Sequence, residues 1–329
     1  MRSRLLLGTV VPIVVAALAG CSATASDSDG EVFVDGPLSP AAAKEPGAVA
    51  VVVDTDLAPD DLAAIALLVR HPRVNVVGIT VPETGMVTCA GLGVLADLFE
   101  AMETPAPPVA CGRTPRGPDG LPLPPQWTSM STVYSGLDRD DEPGGLTPVR
   151  RPAADFLAKL ARRHEGLHVV ALGPLTEVAA LLRRHPGAYE RLATITSMAG
   201  NVAADPQGEG IAEWNAAADP VPFAEVVAGP VPLTILPDDP VPDGAPAGLA
   251  GPVVGGLGRD PQFTTPAYWD LATAGSFVEP DVATTRTGTW EVDTTDDRGR
   301  LRRTGDGTVR VVTELDTDAL DEVYRSVFR

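Results

Sequence analysis

The chain has 329 residues, 44% hydrophobic and 5% aromatic, with 25 Lys+Arg against 44 Asp+Glu and a formal net charge of −19. So much apolar residue excludes a disordered tail, and so little basic residue excludes a general nucleic-acid binder. The 33 Gly and 33 Pro follow no triplet period, which excludes a collagen-like chain and points to many ordered loops.

The first residues read as an address. Arg2 and Arg4 precede an apolar run, Leu5 to Leu18, shorter than the roughly 20 residues a spanning helix needs. The run ends in Leu18-Ala19-Gly20-Cys21, which resembles the lipobox of bacterial lipoproteins. The resemblance implies a signal peptide over 1–20, lipidation of Cys21 and an extracytoplasmic protein anchored to the cell membrane. Residues 21–47, rich in Ser, Ala, Asp and Gly, read as a flexible tether, and 48–329 as one domain. An acidic surface repels anionic headgroups and nucleic acid, so the lipid does the anchoring, and a single acyl chain holds only marginally.

Ala48 to Val53 is an unbroken apolar run ended by acids, as expected of a strand buried on both faces. Asp60 to Arg70 has helical spacing, with Leu62, Ile65, Ala66 and Val69 on one face and Pro72 stopping it. Val74–Val81 and Val109–Cys111 read as strands around a helix over Gly91–Met102. Gly112 to Pro148 is dense in Gly and Pro and reads as a surface excursion or a lid. Helices follow over Ala153–Arg163, Thr176–Arg184 and Pro220–Ala228, and strands over His168–Leu172, Ala193–Met198 and Val231–Leu236. Thr284 to Val312 alternates as antiparallel hairpins do. Asp316–Phe328 is a closing helix with Asp316 as its N-cap. The alternation predicts an α/β fold: a doubly wound, mainly parallel sheet flanked by helices, with a small C-terminal hairpin region.

Cys89 and Cys111 can be oxidised outside the cytoplasm, but their spacing does not decide whether they pair. The four histidines, His71, His164, His168 and His185, sit at predicted helix ends or at the start of a strand and read as structural.

The chemistry concentrates in Asp54-Thr55-Asp56-Leu57-Ala58-Pro59-Asp60-Asp61, at the carboxyl end of the first strand, where ligands bind in open parallel sheets. Carboxylates so crowded repel unless protons or a cation neutralise them. Oxygen donors with no Cys or His beside them favour calcium or magnesium over zinc. A bland alternative is a set of caps and loop acids in an acidic protein.

Asp54-Thr55-Asp56…Asp60-Asp61 followed by Leu62-Ala63-Ala64-Ile65-Ala66 resembles the N-terminal signature of the inosine-uridine-preferring nucleoside hydrolases. Three further segments agree in order: Ala171-Leu172-Gly173-Pro174-Leu175-Thr176, Glu213-Trp214-Asn215 with Asp219-Pro220, and Trp269-Asp270. The resemblance implies hydrolysis of nucleoside N-glycosidic bonds at a bound Ca2+. It implies metal ligation by Asp56, Asp61, Asp270 and the Leu172 carbonyl, with Asp56 also the general base. Asp60, Glu213 and Asn215 would bind ribose hydroxyls, and Asp54 would hold the loop. Trp269 and Trp214 resemble the purine-specific branch, where stacking activates the leaving base. Family members are commonly dimers or tetramers, so the resemblance also implies a homo-oligomer.

The chain departs from the family pattern at Leu57-Ala58, where Pro-Gly is usual, around Thr84-Gly85, where Gly-Asn is usual, and near Gln207. These changes leave the substrate open to other ribosyl small molecules. Asp54-Thr55-Asp56 also fits the Asp-x-Asp opening of haloacid-dehalogenase-type phosphatases. Those need a downstream Lys, but the chain has only Lys44 and Lys159, and Lys159 sits in a predicted helix with charged neighbours. No Gly-x-Ser-x-Gly elbow or glycine-rich phosphate loop appears. A non-catalytic surface lipoprotein that captures nucleosides is the reading from another class.

Overall fold

The computed structural model describes residues 43–126, 146–203, 213–249 and 267–328. The signal peptide, Cys21 and Gln207 lie outside them, as does most of the predicted excursion over 112–148. No helix among the described residues is long and apolar enough to cross a membrane.

Eight strands form one open sheet in the order β3-β2-β1-β4-β5-β6-β8-β7. They are β1 (Val49–Asp54), β2 (Val74–Val81), β3 (Val109–Cys111), β4 (His168–Ala171), β5 (Thr194–Met198), β6 (Leu233–Leu236), β7 (Ala283–Val292) and β8 (Leu301–Leu315). All neighbours run parallel except β7, which returns antiparallel to β8. The predicted tail hairpin is therefore present, but β8 also joins the main sheet beside β6. A pairing between distant segments leaves no periodicity to read.

Successive β1 side chains face opposite layers. Val51 and Val53 enter a core with α1 (Pro59–Arg70), α2 (Leu92–Ala101), α8 (Trp269–Val278) and α9 (Thr317–Phe328). Val52 enters the other core, with α3 (Ala153–Arg163), α4 (Thr176–Arg184), α5 (Pro186–Tyr189) and α7 (Pro220–Val227). Helices on both faces explain why the strands are apolar throughout. A short helix, α6 (Trp214–Ala218), precedes α7. Asp316 caps α9 by accepting the Ala319 N–H at 3.0 Å.

The predicted single apolar face of α1 was too narrow, since every residue from Asp60 to Arg70 is buried. Helices α8 and α9 and the sheet enclose it, so the helix is covered on all sides. Pro59 opens it, having no N–H to lose, and the extended backbone of His71 before Pro72 closes it. The sequence reading missed α8 as a helix. Its uniformly small or apolar residues carry no stripe, and its N-cap, Tyr268, makes no side-chain cap bond.

Cys89 and Cys111 are joined, with Cα atoms 5.9 Å apart and a sequence separation of 22. A loop of that length corresponds to about 3 kcal/mol of chain-entropy stabilisation.

Glu177 was also missed. It is fully buried in α4, and its Oε1 accepts the backbone N–H groups of Arg113 (3.1 Å) and Thr114 (2.9 Å). Its Oε2 accepts the Ala154 N–H at 3.1 Å, satisfying the open first turn of α3. One carboxylate thus fixes the chain after β3 and the start of a helix. Glu177→Ala would orphan three amides and is expected to lower unfolding free energy by about 2–4 kcal/mol. Denaturant titration of that variant checks this, and an unchanged midpoint would refute it.

Candidate active site

The site forms where β1 ends and α1 begins, beyond the carboxyl ends of the parallel strands. Asp54, the last residue of β1, is buried; its Oδ1 accepts the Thr80 hydroxyl and its main-chain oxygen accepts the Leu172 N–H at 2.7 Å. Asp54 therefore ties β1 to β2 and to the turn after β4. Burial raises its carboxyl to about 8 against the pull of Thr80. Thr55 accepts the Leu57 N–H at 3.1 Å and donates its hydroxyl to Asp61 Oδ1.

Leu57, fully buried, holds φ at 60°. A left-handed leucine costs about 1–3 kcal/mol and persists only where its surroundings over-determine it. Here the Thr55 bond and the enclosing core do so.

Asp56 is pinned from several sides. Its Oδ2 accepts the Met86 N–H at 2.7 Å and its main-chain oxygen accepts the Val87 N–H at 2.8 Å. Gly85 and Gly173 press on it. A Cβ built at Gly85 would lie 2.1 Å from the Asp56 Cβ, and one at Gly173 would lie 3.0 Å from it. Thr84 meets Thr176 at 2.8 Å, which in turn donates to Asp219 at 2.8 Å.

Asp60, Asp61 and Asp270 are buried, each with an oxygen within 4.8 Å of those of the other two. The Asp270 N–H, in the first turn of α8, donates to Asp60 Oδ2 at 3.2 Å. Asp56 contacts Asp61 outside this trio. Burial first, and the neighbouring carboxylates second, raise all four: Asp60 and Asp61 to about 6, Asp56 and Asp270 well above the ordinary range. Asp61 Oδ2 and Asp270 Oδ1 are buried with no hydrogen-bond donor among the described residues. Orphaned acceptors of one charge, all oxygen, fit a hard divalent cation.

The remaining predicted residues sit in the turn after β4 and at the starts of α6 and α8. Asn215 donates from Nδ2 to the Leu172 carbonyl (2.7 Å) and to the Met198 carbonyl (3.3 Å), bridging the ends of β4 and β5. The Leu172 oxygen, expected as a ligand, thus already has one donor. Glu213 is the N-cap of α6. It accepts the backbone N–H groups of Asn215 (2.6 Å), Gly200 (2.7 Å) and Ala216 (3.0 Å). Burial lifts it to about 8 although those three donors pull it down. Trp269 and Trp214 are half-buried at the starts of α8 and α6, beside Asp270 and Asn215.

The histidines stay out of the cluster. His71, His164 and His185 are helix C-caps, and His168 bonds Thr194 at 2.7 Å. The sequence reading quoted Thr55, Gly85 and Gly173 without giving them a role, and missed the Met86 amide. Thr55, between two of the acids, was the one visible clue. It also missed Tyr268, a buried phenol held up by burial and by the charge of Asp60.

The sequence profile of the inosine-uridine preferring nucleoside hydrolases matches residues 51–322. Curated relatives include the pyrimidine-specific ribonucleoside hydrolases RihA of Salmonella schwarzengrund and Klebsiella pneumoniae, each 27% identical over 176 residues, 52% of this chain and 52% of theirs. The chain thus spans about half the length of the curated relatives it matches. Among solved structures, the inosine-uridine preferring nucleoside hydrolase of Bacillus anthracis superposes with TM-score 0.70 at 20% identity, covering 85% of this chain and 100% of that one. The purine-preferring ribonucleoside hydrolase of Gardnerella vaginalis gives 0.68 at 18%, covering 84% and 99%. With a profile match across most of its length and the same open sheet, the chain belongs to the inosine-uridine preferring nucleoside hydrolase family.

Proposed function

We propose that this chain hydrolyses the N-glycosidic bond of ribonucleosides, with a preference for purines, giving ribose and free base at a site that holds calcium. The buried trio Asp60, Asp61 and Asp270, with two orphaned oxygens, carries the reading. Asp56, Asp61, Asp270 and the second lone pair of the Leu172 carbonyl would hold the ion. A bound calcium ion would activate a water and order the vicinal hydroxyls of the sugar.

The chain's own residues supply the rest. Asp56, held by the Met86 amide, accepts the proton of the attacking water. The buried carboxylates favour the positive charge that develops on the ribosyl ring. Asp60, Asn215 and the remaining lone pairs of Glu213 take ribose hydroxyls. Trp269 and Trp214 support the purine preference, because an indole face stabilises a protonated departing base. The names of the relatives pull both ways: RihA is pyrimidine-specific and the Gardnerella protein purine-preferring. We also read the protein as lipidated at Cys21 and anchored outside the cytoplasm, on the lipobox-like end of its apolar leader.

Ribose release from inosine, adenosine, uridine and cytidine with added calcium tests the reading. The purine nucleosides are expected to react faster. Asp56→Ala, which removes a general base and a calcium ligand together, should lower kcat/KM by at least about 10³-fold, within the range lost with a general base alone. Tight nucleoside binding without ribose from either protein would instead favour the non-catalytic capture reading.

A further inference from the structure

From the geometry around Asp56 we infer that the Cys89–Cys111 disulfide is a positioning device for the site, so that its metal affinity and turnover depend on the oxidised state. This rests on the proposed reading of the site. Cys111, the last residue of β3, pairs with Val81, the last residue of β2, and the Gly112 N–H donates to the Val81 carbonyl at 2.7 Å. The same Cys111 is bonded to Cys89. Both ends of the loop Pro82–Thr88 are therefore fixed to one residue. That loop supplies the Met86 and Val87 amides to Asp56, and Gly85 packs on the Asp56 side chain. The described contacts of Asp56 thus depend heavily on a covalently closed loop.

Reduction would open the ring at one end only. A small dithiol would transfer two electrons and two protons, leaving two thiols on the chain and a cyclic disulfide on itself. Cys89 and Cys111 are half-buried, within reach of such a reagent. Afterwards the Val81 end stays paired, while only the side-chain packing of Val87 and Leu92 is left to restrain the other end. The expected result is a folded chain whose Met86 and Val87 amides come loose from Asp56. Partners that orient a ligand typically change metal affinity or activity by about 10–100-fold when lost.

Amide exchange of the metal-free protein is measured oxidised, after dithiothreitol, and after reoxidation, followed by calcium affinity and ribose release. Expected are at least about tenfold faster exchange at Met86 and Val87 with β1 unchanged, about tenfold weaker calcium binding, and recovery on reoxidation. The Cys89→Ala/Cys111→Ala variant should behave as the reduced protein. Leu192→Ala, a cavity in the opposite core, controls for lost stability. Equal exchange and equal calcium affinity in the two redox states would overturn the inference, as would the same losses in Leu192→Ala. If the double variant fails to fold, the reversible reduction series still decides. Absence of ribose from the oxidised protein would count against the proposed function alone, since the exchange readout needs neither metal nor turnover.

Discussion

On the proposed function, Gly85→Ala is expected to remove nearly all nucleoside hydrolysis while leaving the fold intact. The added Cβ would lie 2.1 Å from the Asp56 Cβ and 2.8 Å from its Oδ2. Asp56 has nowhere to retreat. Gly173 closes the other side, with an ideal Cβ 3.0 Å from the Asp56 N, and the Val87 amide holds its carbonyl. Either the Met86 bond breaks or the loop lifts, and in both cases the carboxylate leaves its position. A misplacement of about 1 Å costs about 10²-fold in rate, so kcat/KM should fall at least that far. Overpacking of this kind costs about 1–3 kcal/mol, which leaves a domain of this size folded. Gly187→Ala is the control: nothing lies within 4 Å of its Cβ and its φ is ordinary for an L-residue. Kinetics and melting curves of the two variants check the claim, and a fully active Gly85→Ala enzyme would refute it.

On the proposed reading of the site, Asp61→Asn should abolish calcium binding and stabilise the metal-free protein. The Asp61 carboxylate is fully buried, faces Asp56, Asp60 and Asp270, and has one oxygen without a donor. An amide of the same shape keeps the Thr55 contact and removes one charge from the repulsion. About 1 kcal/mol regained shifts Tm by about 1.5–2 °C at this chain length. The wild type, with calcium at a hundredfold excess over Kd, should gain about 2.7 kcal/mol, and the variant nothing. The sign with pH follows. Asp60 and Asp61 titrate near 6 in the folded chain, above their ordinary 3.8. Their contribution to metal-free stability is therefore full below about 4 and lost as pH rises through 6. Under the proposed reading of the site, calcium would displace those protons, so its stabilisation would grow over the same window. Scanning calorimetry of both proteins with and without calcium measures this. A variant that still melts higher with calcium would sink the ligand assignment.

The elements easiest to read were those whose burial is written in composition. The continuous apolar β1 and the strands after it predicted a sheet covered on both faces, and Asp316 announced the cap of α9. What failed was whatever depends on partners far along the chain. Nothing local in 301–315 says that β8 sits beside β6, and nothing local in 269–278 makes α8 amphipathic. At the site, the acids were legible because carboxylates crowded at a strand end demand an explanation. Glu213 was legible as important, yet its three backbone bonds make it a helix cap as much as a sugar ligand. Met86, Gly85 and Gly173 were not, since a backbone amide has no residue code and a glycine's close approach has none either. Cys89 and Cys111 were visible, but pairing is decided by strand register: Val81 beside Cys111.

The bond from the Asp270 amide to Asp60 spans a sequence separation of 210. Closing so long a loop is among the slow, late steps of folding. A nascent chain lacking α8 has only two of the three acids, so the cation has no complete seat until most of the polypeptide has emerged. The ion would then act as a latch on the finished molecule, slowing its unfolding, and not as a seed that hastens its formation.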